Sequence, residues 1–480
     1  MLTASPLSFQ ILRPMTKLSI MKLSIILCFF MLPVFSFAQQ AVLAIKNVSI
    51  VDVKKNKVER VAVVLIEGNK ITVVSKKAPI PKEARVIEAA GKYLIPGLWD
   101  MHAHALTGNN YDWVFPMLIA NGITGIREMG NDMPLERIKQ LRQEIYDGAR
   151  LGPRIGAATG KVLDAEEAAF HLAITTPEQA RQVVKTYKQG GADFIKPYNL
   201  LSREVYLALI DEAKRQNIPV AGHVPFSMTP GEVSDLGQKC IEHNFGVLLY
   251  CSKDEVELQR QTLAQPDLWG RFEAEAANSY NNQKALTLYK QFAHNGTWSC
   301  PTIVIYRPLR FGSDSALMQK GLMKYVPKAR RQRWREVFRQ RNANVPDALD
   351  RKTRDEMRMA IVGDMYRSGV QILAGTDMPS PYTIPGFSLH EELELLVKSG
   401  LPPIEALRTA TINPALFLGK EKAWGTVEEG KVADLVILDA NPLEDISNTR
   451  KIHTVIANGK VLLRSDLDAL LEQMEEQAKR

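Results

Sequence analysis

Six polar residues of types that bind divalent metal ions follow short apolar runs along this chain. They are His102, His104, Lys196, His223, His243 and Asp377. His102 and His104 are separated by one residue, and alternate side chains of a strand point to the same face, so both imidazoles can aim at one point. Several imidazoles together with a carboxylate suit Zn²⁺ or a similar divalent ion. Each residue alone also fits an ordinary structural role, so the hypothesis rests on their shared position at predicted strand ends.

Lys196 needs a separate explanation, because a lysine ammonium cannot ligate a cation. If burial keeps the amine neutral, it can take up CO₂ and become a carbamate. A carbamate has two anionic oxygens and can bridge two metal ions about 3.5–4 Å apart, with a hydroxide held between them as the nucleophile. Asp377 can hold that hydroxide and pass its proton to a leaving amine. Asp100 and Glu242 are predicted to orient the histidines.

The elements that must position these residues alternate between strand and helix patterns from residue 96 to residue 425, which is typical of a parallel sheet. We count eight candidate strands, which end near His104, Glu128, Gly160, Lys196, His223, His243, Tyr306 and Asp377. Eight strands over roughly 300 residues predict an α/β fold of the (β/α)₈ barrel type, whose enzymes keep their active sites at the carboxyl ends of the strands. A helical insertion is predicted at about residues 253–364.

Short strand patterns with tight turns occupy residues 39–95 and 426–465. The two segments are similar enough in texture to predict one small composite β-sandwich domain built from both ends of the chain. The alternative is two unrelated β segments, each with exposed edges. Residues 466–480 are predicted to form an amphipathic helix, and the densest basic run, residues 324–341, is interpreted as a solvated helix face.

Residues 1–38 are predicted to be a secretory signal peptide, with translation starting at Met21. Lys22 precedes a short apolar run, and small residues end at Ala38, which is the pattern of a cleaved signal. That run is too short to favour a membrane span. We therefore expect an exported protein, periplasmic or secreted, with no transmembrane span in the mature chain.

Charge and cysteine content exclude two further classes of protein. The formal net charge is +8, and three of the positive charges lie in the predicted signal peptide, so the mature chain is too mildly basic to indicate nucleic-acid binding. The predicted mature chain keeps three widely spaced cysteines, which is no disulfide framework. Small-molecule chemistry is therefore the expectation, and the sequence leaves open whether the protein is a homo-oligomer.

Together these motifs resemble those of the amidohydrolase superfamily, in the branch of imidazolonepropionase and prolidase-like dipeptidases. The stretches that carry the resemblance are residues 96–104, 191–196, 222–225, 242–243, 374–377, 406–415 and 430–436. The resemblance implies that His102 and His104 share the deeper of two Zn²⁺ ions with Asp377. It also implies that carbamylated Lys196 bridges the ions, and that His223 and His243 hold the outer one.

The activity implied by the resemblance is hydrolysis of an amide or peptide bond, in a dipeptide of the Xaa-Pro kind or an N-acyl amino acid. Two alternatives stay open: an imidazolonepropionase-like hydrolase of cyclic amides with a single metal, and a non-catalytic envelope protein that retains the barrel. A deaminase is less favoured, because such relatives place a glutamate soon after the histidine of strand five, and residues 224–227 contain none. Candidate substrate contacts are Tyr198, Tyr250, Thr302, Tyr306, Arg307 and His390, the last of which fits a packing role at a helix start equally well.

Overall fold

The computed structural model describes residues 42–60, 63–307, 321–343 and 348–480. The predicted signal peptide and its start at Met21 lie outside the described residues. The strands are β1 (Val42–Lys46), β2 (Ser49–Asp52), β3 (Lys57–Arg60), β4 (Val63–Glu67), β5 (Lys70–Ser75), β6 (Arg85–Glu88), β7 (Tyr93–Pro96), β8 (Leu98–Ala103), β9 (Ile123–Glu128), β10 (Arg154–Ala158), β11 (Val162–Asp164), β12 (His171–Ala173), β13 (Ala221–Gly222), β14 (Cys240–Glu242), β15 (Trp298–Cys300), β16 (Leu435–Leu438), β17 (Ile452–Ala457) and β18 (Lys460–Leu463).

Helices connect most of these strands. They are α1 (Tyr111–Ala120), α2 (Leu135–Tyr146), α3 (Pro177–Gly190), α4 (Arg203–Arg215), α5 (Pro230–Asp235), α6 (Val247–Tyr250), α7 (Glu255–Ala264), α8 (Trp269–Asn278), α9 (Asn282–Asn295), α10 (Lys328–Ala343), α11 (Ala348–Arg367), α12 (Phe387–Lys398), α13 (Pro403–Thr409), α14 (Ile412–Phe417) and α15 (Arg464–Lys479). Local sequence explains bounds such as those of α3. The Thr176 side chain accepts the Gln179 N–H at its start, and Gly191 adopts φ 89° at its end.

Strands from both ends of the chain share one six-stranded sheet, in the order β18-β17-β16-β7-β2-β3. The antiparallel neighbours β7 and β16 join the two ends, with Leu94 opposite Ile437. A four-stranded sheet, β5-β4-β1-β6, lies beside it. Ile45 and Ile66 of the second sheet form one buried cluster with Leu94 and Ile437 of the first. The alternation of apolar residues in both segments therefore serves one shared core.

Parallel pairing organises the middle of the chain, where β8-β9-β10 and β13-β14-β15 form two sheets. Backbone hydrogen bonds continue from β10 to the segment at Asp193, which donates to Ala158, and from Ile195 to Pro219, both at 2.9 Å. Leu373 donates to Ser299 and Met101 donates to Ala374, again both at 2.9 Å. These hydrogen bonds link β10, the segment at Asp193, β13, β15, the segment at Leu373 and β8. They place the carboxyl ends of the strands on the same side.

The seventh predicted strand is displaced. The apolar run at residues 301–305 was expected to be extended, but the strand is β15 and Ile303–Ile305 forms a 3₁₀ turn. Pro301 has no N–H to offer a ladder. The N–H groups of Ile303 and Val304 instead donate to the carboxylate of Glu392, at 3.0 and 2.8 Å. A buried acceptor from distant α12 therefore overrides the local strand pattern.

The basic run of the insertion is more than a solvated face. Within α10, the Arg330 guanidinium lies 5.2 Å from the ring centre of Trp113 and donates to Asn110 at 2.6 Å. The C-terminal helix α15 buries Leu467 and Met474, as the predicted amphipathic pattern requires. Among the helices of the described residues, none is long and apolar enough to cross a membrane.

Candidate metal centre

His102, His104 and Asp377 form a compact cluster, with one ligand atom of each lying within 4.8 Å of the others. The nearer Asp377 oxygen is 3.3 Å from Nε2 of both histidines. This approach requires glycine at position 375, where a Cβ would lie 2.7 Å from the Cβ of His102. The Asp377 backbone then turns into the left-handed region, with φ 57°, and donates its N–H to the His102 carbonyl at 2.7 Å.

The other three predicted ligands surround His102. The Lys196 Nζ lies 3.3 Å from His102 Nε2. The ring centres of His102 and His243 are 4.4 Å apart, and those of His243 and His223 are 4.8 Å apart. The structure therefore brings all six predicted side chains into one cluster, and their roles as metal ligands stay a prediction.

The donor set of this cluster fits a divalent cation. Nε2 of His223 is buried and has no hydrogen-bond partner among the described residues. Leaving a buried nitrogen unsatisfied costs free energy, which coordination to a metal ion would offset. Imidazole nitrogens with one carboxylate are typical zinc ligands.

Each of the four histidines directs its other ring nitrogen to an outer partner. Nδ1 lies 2.7 Å from Glu242 Oε2 for His102, 2.7 Å from the Gly130 carbonyl for His104, 2.6 Å from Asn199 Oδ1 for His223 and 2.6 Å from Thr302 Oγ1 for His243. The Thr302 hydroxyl donates to the Pro301 carbonyl at 2.8 Å, so it accepts from His243. With Nδ1 donating, Nε2 keeps its lone pair toward the centre of the cluster.

A fully buried ion pair supports His102. The Nη2 of Arg127 donates to both Glu242 oxygens at 2.8 Å, and Glu242 accepts from His102. Burial by itself raises the pKa of Glu242, but the Arg127 charge and the His102 hydrogen bond outweigh it and hold that pKa well below its usual value. Glu242 therefore stays ionised and orients the imidazole.

Asp100 acts on the backbone rather than on a ring. Its carboxylate accepts from the backbone N–H groups of His102 and Thr376, at 3.1 and 3.0 Å. Asp100 thus contacts His102 through its backbone, and its predicted part in orienting the histidines stays a prediction. Its effect is to tie the end of β8 to the segment that carries Asp377.

Burial and neighbouring groups shift the pKa values of Lys196 and Asp377, the two residues proposed to form a carbamate and to transfer a proton. Lys196 is 1% exposed, and this burial lowers the pKa of its amine to about 8. Burial alone raises the pKa of Asp377, but the adjacent imidazoles of His102 and His104 outweigh it and hold the pKa well below its usual value. Lys196 thus gains a neutral, nucleophilic fraction near neutral pH while Asp377 stays anionic.

Comparison with known proteins places this chain in a family. The family model of the amidohydrolase family matches residues 93–462. The chain belongs to the amidohydrolase family. A candidate prolidase from Bifidobacterium longum has a similar structure, with a TM-score of 0.66 and 25% identity over 91% of this chain and 99% of that one.

Two curated relatives frame this amidohydrolase further. The 5-methylthioadenosine/S-adenosylhomocysteine deaminase of Thermoanaerobacter pseudethanolicus is 22% identical over 482 residues, covering 91% of this chain and 98% of that protein. The imidazolonepropionase of Treponema denticola is 41% identical over 81 residues, which are 16% of this chain and 18% of that enzyme. The resemblance to the imidazolonepropionase and prolidase-like branch is confirmed by the family match and these relatives.

The six predicted substrate contacts of the amidohydrolase do not all lie beside the predicted metal ligands. The Tyr198 ring lies 4.2 Å from that of His223, at the edge of the cluster. Thr302 is engaged with His243, as described above. Tyr250 lines an apolar pocket with Leu249 and other residues. The remaining three are Tyr306, Arg307 and His390, and their surroundings are given below.

Tyr306 and Arg307 lie just beyond the turn that carries Thr302. The guanidinium of Arg358 lies 3.5 Å from the ring centre of Tyr306. Arg307 forms an ion pair with Glu391 at 2.9 Å. Both residues line one shallow pocket, together with Ile303 and Leu395.

His390 is placed as the packing alternative describes. It is buried, with Nδ1 2.9 Å from the Thr449 hydroxyl and Nε2 3.0 Å from the Asn121 carbonyl. Asn121 precedes the amino end of β9, whereas the six predicted ligands lie at the carboxyl ends of the strands. Its expected contact with substrate is therefore corrected to a structural role between α12 and the amino ends of the strands.

Sequence reasoning missed a histidine and an aspartate at the edge of the centre. His171 in β12 has its ring centre 4.6 Å from that of Tyr198, and its Nδ1 is 3.6 Å from Asp164. Burial, with the charges of Lys196 and His104, lowers the pKa of His171 to about 4, so the ring is neutral at pH 7. The sequence did contain one clue to His171: the whole chain has only eight histidines, so each of them was a candidate for the site.

Replacing Thr302 with valine is expected to lower zinc affinity by about 10- to 100-fold, because the shape is kept while the acceptor for His243 Nδ1 is lost. Zinc affinity is measured by competition with a chromophoric chelator. Thr302→Ser is the matched control and is expected to stay close to the native protein. Equal affinities of the valine and serine variants would show that the hydroxyl does not orient His243.

Proposed function

We propose that this amidohydrolase hydrolyses a carbon–nitrogen bond, an amide or peptide bond, in an Xaa-Pro-like dipeptide or an N-acyl amino acid. The observation that carries the proposal is the Asp377 carboxylate held 3.3 Å from Nε2 of both His102 and His104. The similarity to a candidate prolidase supports the substrate class. We further infer that the eight linked segments act as one (β/α)₈ barrel and that the two terminal sheets act as a composite sandwich domain.

The cofactor in this proposal is a pair of Zn²⁺ ions. His102, His104 and Asp377 would hold one ion, His223 and His243 the other, and Lys196 as its carbamate would bridge them. Bound zinc supplies Lewis acidity and lowers the pKa of water from about 15.7 towards about 7. The neutral amine fraction of buried Lys196 supports carbamate formation.

The residues of the chain supply orientation and proton transfer. Asp377 is anionic and accepts a hydrogen bond from the Ser380 hydroxyl at 2.8 Å on its second oxygen, so its first oxygen is fixed toward the histidines. A carboxylate in this position can take a proton from the attacking water and deliver it to the leaving nitrogen. Tyr198 and neutral His171 stand at the rim, where they can hydrogen-bond to substrate.

A deaminase is the second candidate, because a relative that matches 91% of this chain is one. Both reactions replace a carbon–nitrogen bond with a carbon–oxygen bond, so the released nitrogen distinguishes them. Dipeptides and N-acyl amino acids release a free amino acid, whereas aminopurine nucleosides release ammonia. Assaying both products with one enzyme preparation separates the two candidates, and a single-metal hydrolase is separated by metal content.

Metal analysis of Lys196→Ala tests the proposal. We expect about two zinc ions per chain in the native protein when bicarbonate is present, and at most one in the variant, because the bridging ligand is lost. Elemental analysis by mass spectrometry gives the count. Lys185→Ala, at an exposed position of α3, is the control and should keep both ions. One ion in every sample would contradict the carbamate bridge and favour the single-metal hydrolase.

Export is a separate proposal, based on the signal pattern before residue 39. Expression of the full chain with a C-terminal tag and sequencing of the N-terminus is expected to give a mature protein that starts near residue 39. An intact N-terminus at Met21 would contradict it.

A further inference from the structure

A buried carboxyl group on α12 binds the turn that follows Thr302. Glu392, Thr302 and Val304 are all 0% exposed. Oε1 of Glu392 accepts the Ile303 N–H at 3.0 Å, and its Oε2 accepts the Val304 N–H at 2.8 Å. Hydrogen bonds within the turn begin two residues later, where Ile305 donates to the Thr302 carbonyl at 3.1 Å. Glu392 therefore supplies acceptors for the first two N–H groups of the 3₁₀ turn.

Thr302 links this turn to the predicted outer metal site. Its hydroxyl donates to the Pro301 carbonyl at 2.8 Å and lies 2.6 Å from Nδ1 of His243, so it accepts from that nitrogen. Thr302 is β-branched and has φ 46°, a backbone conformation that such residues rarely adopt. A residue in this conformation persists only where its surroundings fix it. The two hydrogen bonds of Glu392 fix the backbone immediately after it.

Packing alone does not explain a carboxyl group in this place. Burial raises the pKa of Glu392 to about 8, so its ionisation there is costly. The neutral and the ionised forms both keep acceptor lone pairs for the two N–H groups. An apolar residue of similar size would fill the space, but it would leave both N–H groups buried without an acceptor. The need for two acceptors therefore explains the residue type.

We propose that Glu392 is a positioning residue for His243, acting through the 3₁₀ turn and the hydroxyl of Thr302. By fixing the backbone after Thr302, it keeps the hydroxyl in place as the acceptor for His243 Nδ1. The imidazole is then held in the tautomer whose Nε2 lone pair is free to bind a metal ion. This inference rests on the proposed function, because His243 is a ligand of the proposed outer zinc ion. It gives a part in the site to α12, which carries none of the six predicted ligands.

Histidine NMR of the purified protein reports the hydrogen bond at His243. Selective ¹⁵N labelling of the imidazoles gives Nδ1–H signals, and the spectrum of Thr302→Val identifies the signal that depends on the Thr302 hydroxyl. We expect Glu392→Leu to lose that same signal, because both acceptors of the turn are removed. The Nδ1–H signal of His102 should remain and show that the fold is kept. Glu136→Gln, at an exposed position of α2, is the control and should keep both signals.

Zinc affinity tests whether Glu392 acts through Thr302. We expect Glu392→Leu to lower the affinity, measured by chelator competition, by about 10- to 100-fold. In the double variant Glu392→Leu/Thr302→Val, the affinity should equal that of Thr302→Val alone, because the same hydrogen bond is already lost. Two residues that act independently would instead give losses that multiply.

Glu392→Gln serves as a second variant if the leucine variant is unstable. It keeps one carbonyl oxygen for one N–H group and is expected to retain part of the His243 signal and of the zinc affinity. A native His243 signal in every Glu392 variant that folds, or zinc losses that multiply with those of Thr302→Val, would overturn the positioning role even if dipeptides are cleaved. A His243 signal that depends on Glu392, with no amide bond hydrolysed, would support the positioning role and reject the proposed function.

Discussion

Replacing Asp377 with asparagine is expected to lower kcat/KM for the best dipeptide by about 10²–10⁴-fold, the usual contribution of a proton-transferring side chain. Asparagine keeps the size of the side chain and an oxygen toward the histidines, but it cannot accept and return a proton. The pKa of Asp377 lies well below its usual value because the adjacent imidazoles of His102 and His104 outweigh the effect of burial. The native group is therefore ready as a base, and the variant has none.

Steady-state kinetics with matched metal analysis separates this effect from loss of the ions. Asp147→Asn changes the same side-chain chemistry at an exposed position after α2 and is expected to have native activity. Native turnover by Asp377→Asn with full metal content would show that another group transfers the proton. His171 would then be the first residue to test, because it is neutral and lies at the rim.

Replacing Arg127 with methionine is expected to destabilise the protein by about 3–5 kcal/mol, the range for breaking a buried ion pair and leaving one charge behind. Arg127 and Glu242 are both fully buried, and Arg127 donates to both carboxylate oxygens. Urea unfolding monitored by circular dichroism gives the free energy of unfolding. A stability equal to that of the native protein would contradict the role of this pair.

The double variant Arg127→Met/Glu242→Met separates stability from metal binding. Replacing both members of a buried pair with apolar residues is often neutral for stability, so we expect most of the loss to be recovered. Zinc affinity should stay about 10- to 100-fold below the native value, because His102 Nδ1 has lost its acceptor. Recovery of both properties together would show that Glu242 serves the fold alone.

The proximity of the six predicted ligands could be predicted because it depends on short segments of sequence, and their binding of a metal ion stays a prediction. The spacing of His102 and His104 and the glycine before Asp377 belong to short segments whose geometry depends on neighbouring residues. Alternate residues of a strand point to the same face, and a close approach of two backbones requires a small residue. Both rules can be applied to the sequence without knowing the fold. The order of strands in the two terminal sheets was less accessible, because sequence texture shows that strands exist but not which one pairs with which.

The errors arise from contacts with residues that are distant in the sequence. Residues 302–305 have the β-branched, apolar pattern of a strand, but the carboxylate that binds the N–H groups of the 3₁₀ turn belongs to Glu392, nearly ninety residues later. His390 has the same residue type as the ligands but occupies the opposite end of the strands. His171 gains its position only through contacts with Tyr198 and Asp164, which no spacing rule relates to it.

Three side chains of the centre stand on left-handed backbone, namely His243 with φ 61°, Thr302 with φ 46° and Asp377 with φ 57°. Among the residues that the structure describes, six of the other seven non-glycine residues with positive φ are asparagines, which tolerate this conformation better. Each strained position costs of the order of 1–3 kcal/mol. Selection for thermal stability alone would therefore favour glycine or asparagine at these three sites and would remove two of the six predicted ligands, His243 and Asp377. Higher stability and retention of the predicted site therefore place opposite demands on the residues at these three positions.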